Sequence, residues 1–589
     1  MGQFFKFLFA SCLGVVLAIL GLSFIGTIML VQVAANAEKP EPIQPNSVLH
    51  LTFDNPIPEK TNNLEMDPFD LENQKILGLQ AIRRSIELAK EDDNIKGIFL
   101  DVDGIYAGFA TAAVLRDALV DFKESGKFIM AYSKYYTQGA YYLASTADEI
   151  HINPLGMIDF RGFAAQVPFF KQMLDKVGVK MQVYYAGKFK SATEPYRRES
   201  MSDESRLQIR EYIDEMYQLF LTDISETRGI SVSELKRLAD EYAASDPERA
   251  LAEKMIDKIG YRDETLEAIR NKLGLDEEDK LELVSLKNYS NSNPWRNTST
   301  AKERIAIIYA EGTILDGKGE NGKIGDETYV KLIDKARKDD RVKAVVLRVN
   351  SPGGSAMSSE NIWRAMSRVK EAGKPVVVSM GDYAASGGYY ISCLADSIIA
   401  EPNTLTGSIG VFNMIPSAQK LLNDKLGIRF DTVKTGQFSH GITPFYNLSP
   451  EEGRIIQKRT DSMYETFLKR VSDGRGMNRD QVHEIAQGRV WTGSKAKEIG
   501  LIDALGDLES AVEVAANMSD LEEFRLVEYP KPKEALQEFL ERFTGMEDLR
   551  TEAMVKKELG TWYPQYQFLK ELQSSNGMQM RLPFLIPFN

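Results

Sequence analysis

The chain is poor in cysteine and histidine. Its two cysteines, Cys12 and Cys393, are too few for a disulfide framework or a cysteine-rich zinc site. That scarcity leaves the compartment open, because a protein exported to an oxidising space can simply avoid cysteine. The four histidines are His50, His151, His440 and His483. None stands in an H-E-x-x-H pattern, which argues against a zinc-dependent peptidase. Basic charge is not in excess either. Against 72 basic side chains stand 85 acidic ones, a formal charge of −13, so nucleic acid is not an expected partner. With 43% hydrophobic and 27% charged residues, wholesale disorder is excluded, and 589 residues leave room for about three domains or two large ones.

Long apolar runs are equally scarce. One stands at the N-terminus, where residues 7–37 carry no charge. Its core, 7–33, exceeds the ~20 residues a bilayer needs, and it is longer than the ~7–15 apolar residues of a cleaved signal peptide. Although Ala35-Asn-Ala37 resembles a cleavage site, the length speaks for an uncleaved anchor over 1–36 that contacts membrane lipid. Lys6 and the terminal amine would stay cytoplasmic and the body would lie outside. Residues 37–47, with Pro40, Pro42 and Pro45, read as a stiff stalk. The closing apolar stretch 582–588 is short and broken by proline, and is expected to pack on its own domain.

What the chain does have is a second copy of itself. Asp93-Asn-Ile-Lys-Gly-Ile-Phe-Leu-Asp-Val102 resembles Asp340-Arg-Val-Lys-Ala-Val-Val-Leu-Arg-Val349 at an offset of 247 positions. Gln138-Gly-Ala-Tyr-Tyr142 meets Ser386-Gly-Gly-Tyr-Tyr390 at 248, Arg228-Gly229 meets Arg475-Gly476 at 247, and Asp257 with Gly260 meets Asp503 with Gly506 at 246. This offset divides the chain into a first domain over 48–287, a polar linker over 288–300 around Pro294, and a second domain over 301–530. Residues 531–589 are expected to form a helical tail. Within the second copy, strand-like runs at 343–349 and 375–380 alternate with helix-like stretches at 359–372 and 388–394, the grammar of βαβ units and an α/β fold. Ser449-Pro-Glu-Glu452 has the form of a capping box opening a helix toward residue 471.

The copies differ in their polar residues. The second has Asn350-Ser-Pro-Gly-Gly-Ser355 after a strand, where glycines leave backbone N–H groups open to a close ligand; the first has Asp103-Gly-Ile-Tyr-Ala-Gly108, with Tyr106 in place of Gly353. Ser386 in Ala385-Ser-Gly-Gly-Tyr389 faces Gln138, which cannot act as a hydroxyl nucleophile. The contrast then reverses: aligning Gly187 with Gly436 and Phe189 with Phe438 sets Lys190 opposite Ser439. Taken singly, a serine in such a turn is a helix cap and a lysine is a surface charge. The complementary split points instead to one composite site using Lys190 from one domain and Ser386 from the other. Serine is a weak nucleophile until a base takes its proton, and lysine is that base only where burial lowers its pKa. N–H groups at Gly353 and Gly387 would then bind the oxyanion. His440 lies in the equivalent loop of the second copy, but no motif ties it to Ser386.

At Lys190-Ser-Ala-Thr-Glu-Pro195, Asn350-Ser-Pro-Gly-Gly354, Ala385-Ser-Gly-Gly-Tyr389 and Thr406-Gly-Ser-Ile-Gly410 the sequence resembles the signal peptide peptidase A (protease IV) family, in its long tandem-domain bacterial form. The resemblance implies two tandem ClpP/crotonase-like βαβ-spiral domains behind an N-terminal transmembrane helix. It implies a serine endopeptidase with Ser386 as nucleophile and Lys190 as general base, Ser408 orienting the lysine, and Gly353 and Gly387 forming the oxyanion hole. It further implies a homotetramer on the extracytoplasmic face of the bacterial inner membrane, acting on remnant signal peptides and other unfolded apolar segments, with no cofactor or metal. An acyl-CoA enzyme of the same fold is disfavoured by the external body and by the Ser–Lys split. A catalytically inactive membrane scaffold remains the alternative.

Overall fold

The computed structural model describes residues 42–64, 75–276, 278–293, 299–531 and 578–582, together with scattered residues between 2 and 21 and at 555, 558 and 559. Most of the expected anchor, much of the stalk and most of the tail lie outside the described residues. Among the described residues no helix is long and apolar enough to cross a membrane. Near the N-terminus, Phe7, Leu13, Val15, Val16, Leu17 and Leu20 are exposed.

The first unit supplies strands β1 (Ser47–Leu51), β2 (Ile95–Asp101), β3 (Phe128–Tyr136), β4 (Glu149–Ile158), β5 (Lys180–Ala186), β6 (Lys258–Ile259) and β7 (Leu283–Ser285). The second supplies β8 (Arg304–Glu311), β9 (Thr313–Leu315), β10 (Lys323–Gly325), β11 (Val342–Ser351), β12 (Gly353–Ser355), β13 (Val376–Ala385), β14 (Ser397–Ala400), β15 (Leu405–Gly407), β16 (Val411–Ser417), β17 (Val490–Thr492), β18 (Ala504–Leu505) and β19 (Arg525–Tyr529), and β20 (Gln579–Arg581) lies in the tail. One sheet runs β6-β4-β3-β2-β1-β7, entirely parallel. The second repeats that order as β18-β14-β13-β11-β8-β19, also parallel. The duplication read from the sequence is thus a duplication of topology. These strands are continuous apolar runs because helices cover both faces of a parallel sheet; residues 305–310 of β8 are all buried.

Helices that bear on the site are α1 (Phe109–Lys123), α2 (Gln138–Ala144), α3 (Asp203–Arg228), α4 (Ala356–Glu371), α5 (Gly387–Ser392) and α6 (Pro450–Arg475). α6 opens on the Ser449/Glu452 capping box and closes on Gly476 at φ 63°. Leu286–Ser292, which reaches into the polar linker read at 288–300, is helical, with Ser285 accepting from the Asn288 N–H; residues 294–298 lie outside the described residues. The tail is not helical throughout, because Gln579–Arg581 is a strand. Leu582 packs into the first unit's core together with Ala385, Leu405 and Val490 of the second.

A third sheet, β10-β9-β12-β20-β16-β5, draws on both units and the tail. In it β5 pairs antiparallel with β16 along seven residues, from Ala186 opposite Val411 to Lys180 opposite Ser417. Buried polar contacts lock the units behind the site. Glu59 accepts from Arg348 Nε at 2.9 Å and Nη2 at 3.1 Å, and from Asn350 Nδ2 at 3.1 Å. Asp382 accepts from the Thr111 N–H at 2.9 Å and hydroxyl at 2.7 Å, so a carboxylate of the second unit caps α1 of the first, where the helix end favours negative charge.

Candidate active site

β13 ends at Ala385, and Ser386 follows at φ 57° and ψ −112°, a conformation that costs free energy for a residue with a Cβ. Its surroundings hold it there: the Ser386 N–H donates to Gly407 O at 2.8 Å and its carbonyl accepts from the Tyr390 N–H at 2.8 Å. The turn aims the hydroxyl out of the strand and starts α5 at Gly387. Beside it, Gly407 and Ser408 both adopt positive φ, 75° and 50°, while the Ser408 N–H donates to Arg489 O at 2.7 Å.

Lys190 arrives from the other unit. The β5–β16 ladder carries the chain to the second domain, Gly187 turns it at φ 105°, and the Phe189 N–H donates to Gln487 O at 2.9 Å. Gly488 is required for this approach: a Cβ there would meet Lys190 Cα at 2.7 Å. Lys190 Nζ ends 2.7 Å from Ser386 Oγ, 3.0 Å from Ser408 Oγ and 3.2 Å from Ser408 O. Lys190 is 1% exposed and both serines 0%. Burial alone pushes the lysine amine well below its usual range, since its hydrogen-bond partners are neutral oxygens. A neutral amine can donate to the two Ser408 oxygens and still offer its lone pair to the Ser386 O–H.

Gly353 sits at φ 97°, and a Cβ on it would lie 2.0 Å from Met580 O and 2.7 Å from Gly387 N. The two glycines expected to bind an oxyanion are therefore neighbours, and no side chain fits between them. One detail differs from the expectation of an open donor: the Gly353 N–H donates to Ser351 Oγ at 3.1 Å, and that hydroxyl donates to Gly312 O at 2.7 Å. Gly387 opens α5, where the first N–H groups of a helix have no intrahelical acceptor.

Sequence reasoning missed Ser351, although it lies inside the quoted motif, and it missed β20. That strand runs antiparallel to β12, Gly353 opposite Arg581 and Ser355 opposite Gln579, and also pairs Gln579 with Phe412 of β16. The Leu582 N–H donates to Pro352 O at 2.9 Å and the Ala356 N–H to Met578 O at 3.1 Å. An extended segment thus lies along the turn bearing Gly353. No periodicity announces three residues of strand inserted between β12 and β16 after so long a connection.

The other candidates lie apart. Ser439 is exposed and accepts from the Gly436 N–H at 2.8 Å. His440 faces Glu452 at 3.8 Å, His50 pairs with Asp101 at 3.0 Å, His151 with Thr265 at 2.9 Å and His483 with Tyr464 at 3.0 Å. Gln138, opposite Ser386 in the repeat, accepts from the Arg161 and Gly162 N–H groups at 3.2 and 2.9 Å and donates to Gly162 O at 3.2 Å.

A parallel α/β unit present twice, with a buried Ser–Lys contact at the junction, has the make-up of a serine-type hydrolase. The model of peptidase family S49 matches twice, at residues 121–276 and 368–522, once in each unit. Protease 4 of Haemophilus influenzae is 37% identical over 448 residues, covering 74% of this chain and 72% of that protein. Protease 4 of Salmonella typhi is 38% identical over 473 residues, covering 79% and 76%. The chloroplastic serine protease SPPA of Arabidopsis thaliana is 33% identical over 473 residues, covering 79% and 69%. The chain belongs to peptidase family S49 and is a serine-type peptidase of the tandem-domain form.

Proposed function

We propose that the chain is a serine endopeptidase with a Ser386/Lys190 dyad assembled from its two units. The observation that carries this reading is the 2.7 Å separation of Lys190 Nζ and Ser386 Oγ in a buried, carboxylate-free setting. Ser386 Oγ attacks the scissile carbonyl carbon while its proton passes to the neutral Lys190 amine. The new C–O bond turns the carbonyl into an oxyanion held by the Gly387 N–H, with Gly353 at its side. Collapse breaks the C–N bond, and the Lys190 ammonium returns its proton to the leaving amine. Water then attacks the acyl carbon while its proton passes to the same lysine, and the lysine returns that proton to Ser386 Oγ as the C–Oγ bond breaks and the acyl group leaves as the acid. Ser408 keeps the amine aimed through its two oxygens.

The substrates are extended apolar peptide segments, with remnant signal peptides as the class. The antiparallel pairing of Gln579–Arg581 with Gly353–Ser355 supports this, since the backbone beside Gly353 there pairs with an extended segment, the common way of binding peptides in extended form. The uncharged run over 7–37 supports a single-pass anchor with the body on the extracytoplasmic side of the bacterial inner membrane, where a homotetramer would stand on the lipid surface. The test is hydrolysis of a quenched apolar peptide by the detergent-solubilised full chain. Ser386→Ala and Lys190→Ala each lose about 10³-fold or more in kcat, and Ser439→Ala keeps parent activity. Parent rates in both of the first two variants would overturn the assignment and leave the inactive scaffold as the reading.

A further inference from the structure

Lys190 and Ser386 belong to different units, so their 2.7 Å contact depends on whatever holds the lysine loop against the second unit. One face of α3 does this. Gln208, Glu211 and Glu215 follow one another at spacings of three and four, which places them on one side of a helix. They meet consecutive parts of a single segment: Gln208 Oε1 accepts from the Val490 N–H at 3.2 Å, Glu211 pairs with Arg489, and Glu215 accepts from the Thr492 hydroxyl at 2.7 Å. That segment also carries the Arg489 carbonyl that receives the Ser408 N–H.

Gln208 differs from its two neighbours. It is 2% exposed, and its amide also reaches the lysine loop: Nε2 donates to Phe189 O at 3.1 Å and to Ser191 Oγ at 3.1 Å. These two residues flank Lys190 directly. A primary amide has two N–H donors and one carbonyl, and here the donors hold the lysine loop while the carbonyl holds the second unit. We propose that Gln208 is a positioning residue for the dyad, a buried amide that fixes the chain on both sides of Lys190 against the strand next to Ser408. This rests on the Ser386/Lys190 reading above and names the side chain that sets its geometry. Glu211 holds Arg489, whose guanidinium lies 4.9 Å from the centre of the Phe189 ring, whereas Glu215 fastens the same helix to Thr492, so Glu215 separates docking of the units from aiming of the lysine.

The experiment compares the full-length parent with Gln208→Met, Gln208→Glu and Glu215→Gln, measuring kcat, KM, the pH profile of kcat/KM and Tm. Met keeps the length of Gln without its hydrogen bonds; Glu keeps the acceptor for Val490 and loses both donors. The expected result for both Gln208 variants is a kcat lower by about 10–100-fold with KM within about twofold, since small misplacements of a reacting group are costly. The acid limb of the profile should also move to higher pH, because a loosened loop admits water to the lysine amine. Glu215→Gln should keep the parent profile. If either Gln208 variant that folds shows the parent limb and the parent kcat, or loses activity only in proportion to a lowered Tm with the limb unmoved, the inference is wrong. Ser386→Ala and Lys190→Ala run alongside keep the two readings apart. Their inactivity with normal Gln208 variants sinks only the positioning role, whereas their full activity sinks the dyad itself.

Discussion

The turns after β2 and β3 of the first unit, set against those after β11 and β13 of the second, show how one scaffold can hold or lose a site. In the second unit Gly353 at φ 97° lets the chain pass within contact of Gly387, and Ser386 projects from a conformation that its neighbours enforce. In the first unit Tyr106 stands at the glycine position, its side chain 57% exposed while its carbonyl accepts from the Ile57 N–H at 3.1 Å. Gln138 stands at the serine position, and its amide bonds the backbone at Arg161 and Gly162. The space that holds the proposed nucleophile in one copy is filled by a structural hydrogen-bond network in the other. The lysine loops invert the relation: Lys190 is buried against the partner unit, while Ser439 is exposed on a loop closed by its own bonds. In the proposed dyad each unit carries the half that it presents to the other.

Transplanting features between the copies tests this. Gly353→Tyr, which imports the first copy's residue, drives a side chain into Met580 O and Gly387 N at a positive φ. Peptidase activity should fall by about 10²-fold or more, the scale of a lost oxyanion donor; activity near the parent's would show that the turn is not part of the site. Ser408→Ala removes one of the two oxygens that aim Lys190 and should lower kcat about tenfold with KM held, read from full progress curves; an unchanged kcat removes Ser408 from the machinery. Gln138→Ser makes the first copy look like the second. It breaks three hydrogen bonds to residues 161–162 and should destabilise the protein by about 1–3 kcal/mol in urea unfolding, with peptidase activity unchanged. A gain of activity there would mean that a second lysine serves the first unit.

Lys190→Met sharpens the comparison through pH. The folded protein holds the Lys190 amine at a pKa well below its ordinary value, whereas the unfolded chain keeps the ordinary one. Between the two the unfolded state binds the extra proton, so the parent gains stability as pH rises through that window. The variant lacks this dependence and should have the higher Tm at neutral pH, by a margin that shrinks as pH rises toward the ordinary lysine value. Equal Tm values at all pH would show that the amine is not held neutral.

Much of this was legible in the residues. The near-constant offset between the copies exposed the duplication because homologous strands keep their spacing. The strands and helices of the second unit fall where the apolar runs and the Ser449 capping box put them. Lys190 and Ser386 stood out because each is missing from the opposite copy. Pairing between units was not legible: nothing local in 180–186 names the partner of that strand, which proved to be β16 of the other domain. Ser351 was overlooked because a serine between asparagine and proline reads as a turn residue, and its bond to the Gly353 N–H exists only once the turn has closed. The helix at Leu286–Ser292 was hidden by polar composition, since its buried side is only Leu286 and Tyr289. Gln208 gave no signal, because a glutamine on an amphipathic helix carries no mark of what it bonds.

The most direct test of the composite dyad is to trap its covalent intermediate. The full chain would be mixed with an activated apolar peptide ester, quenched in acid within the burst phase, and mapped by mass spectrometry after digestion. The account predicts the acyl mass on Ser386, forming far more slowly in Lys190→Ala. An acyl group on any other residue, or acylation of Ser386 at the parent rate without Lys190, would contradict it.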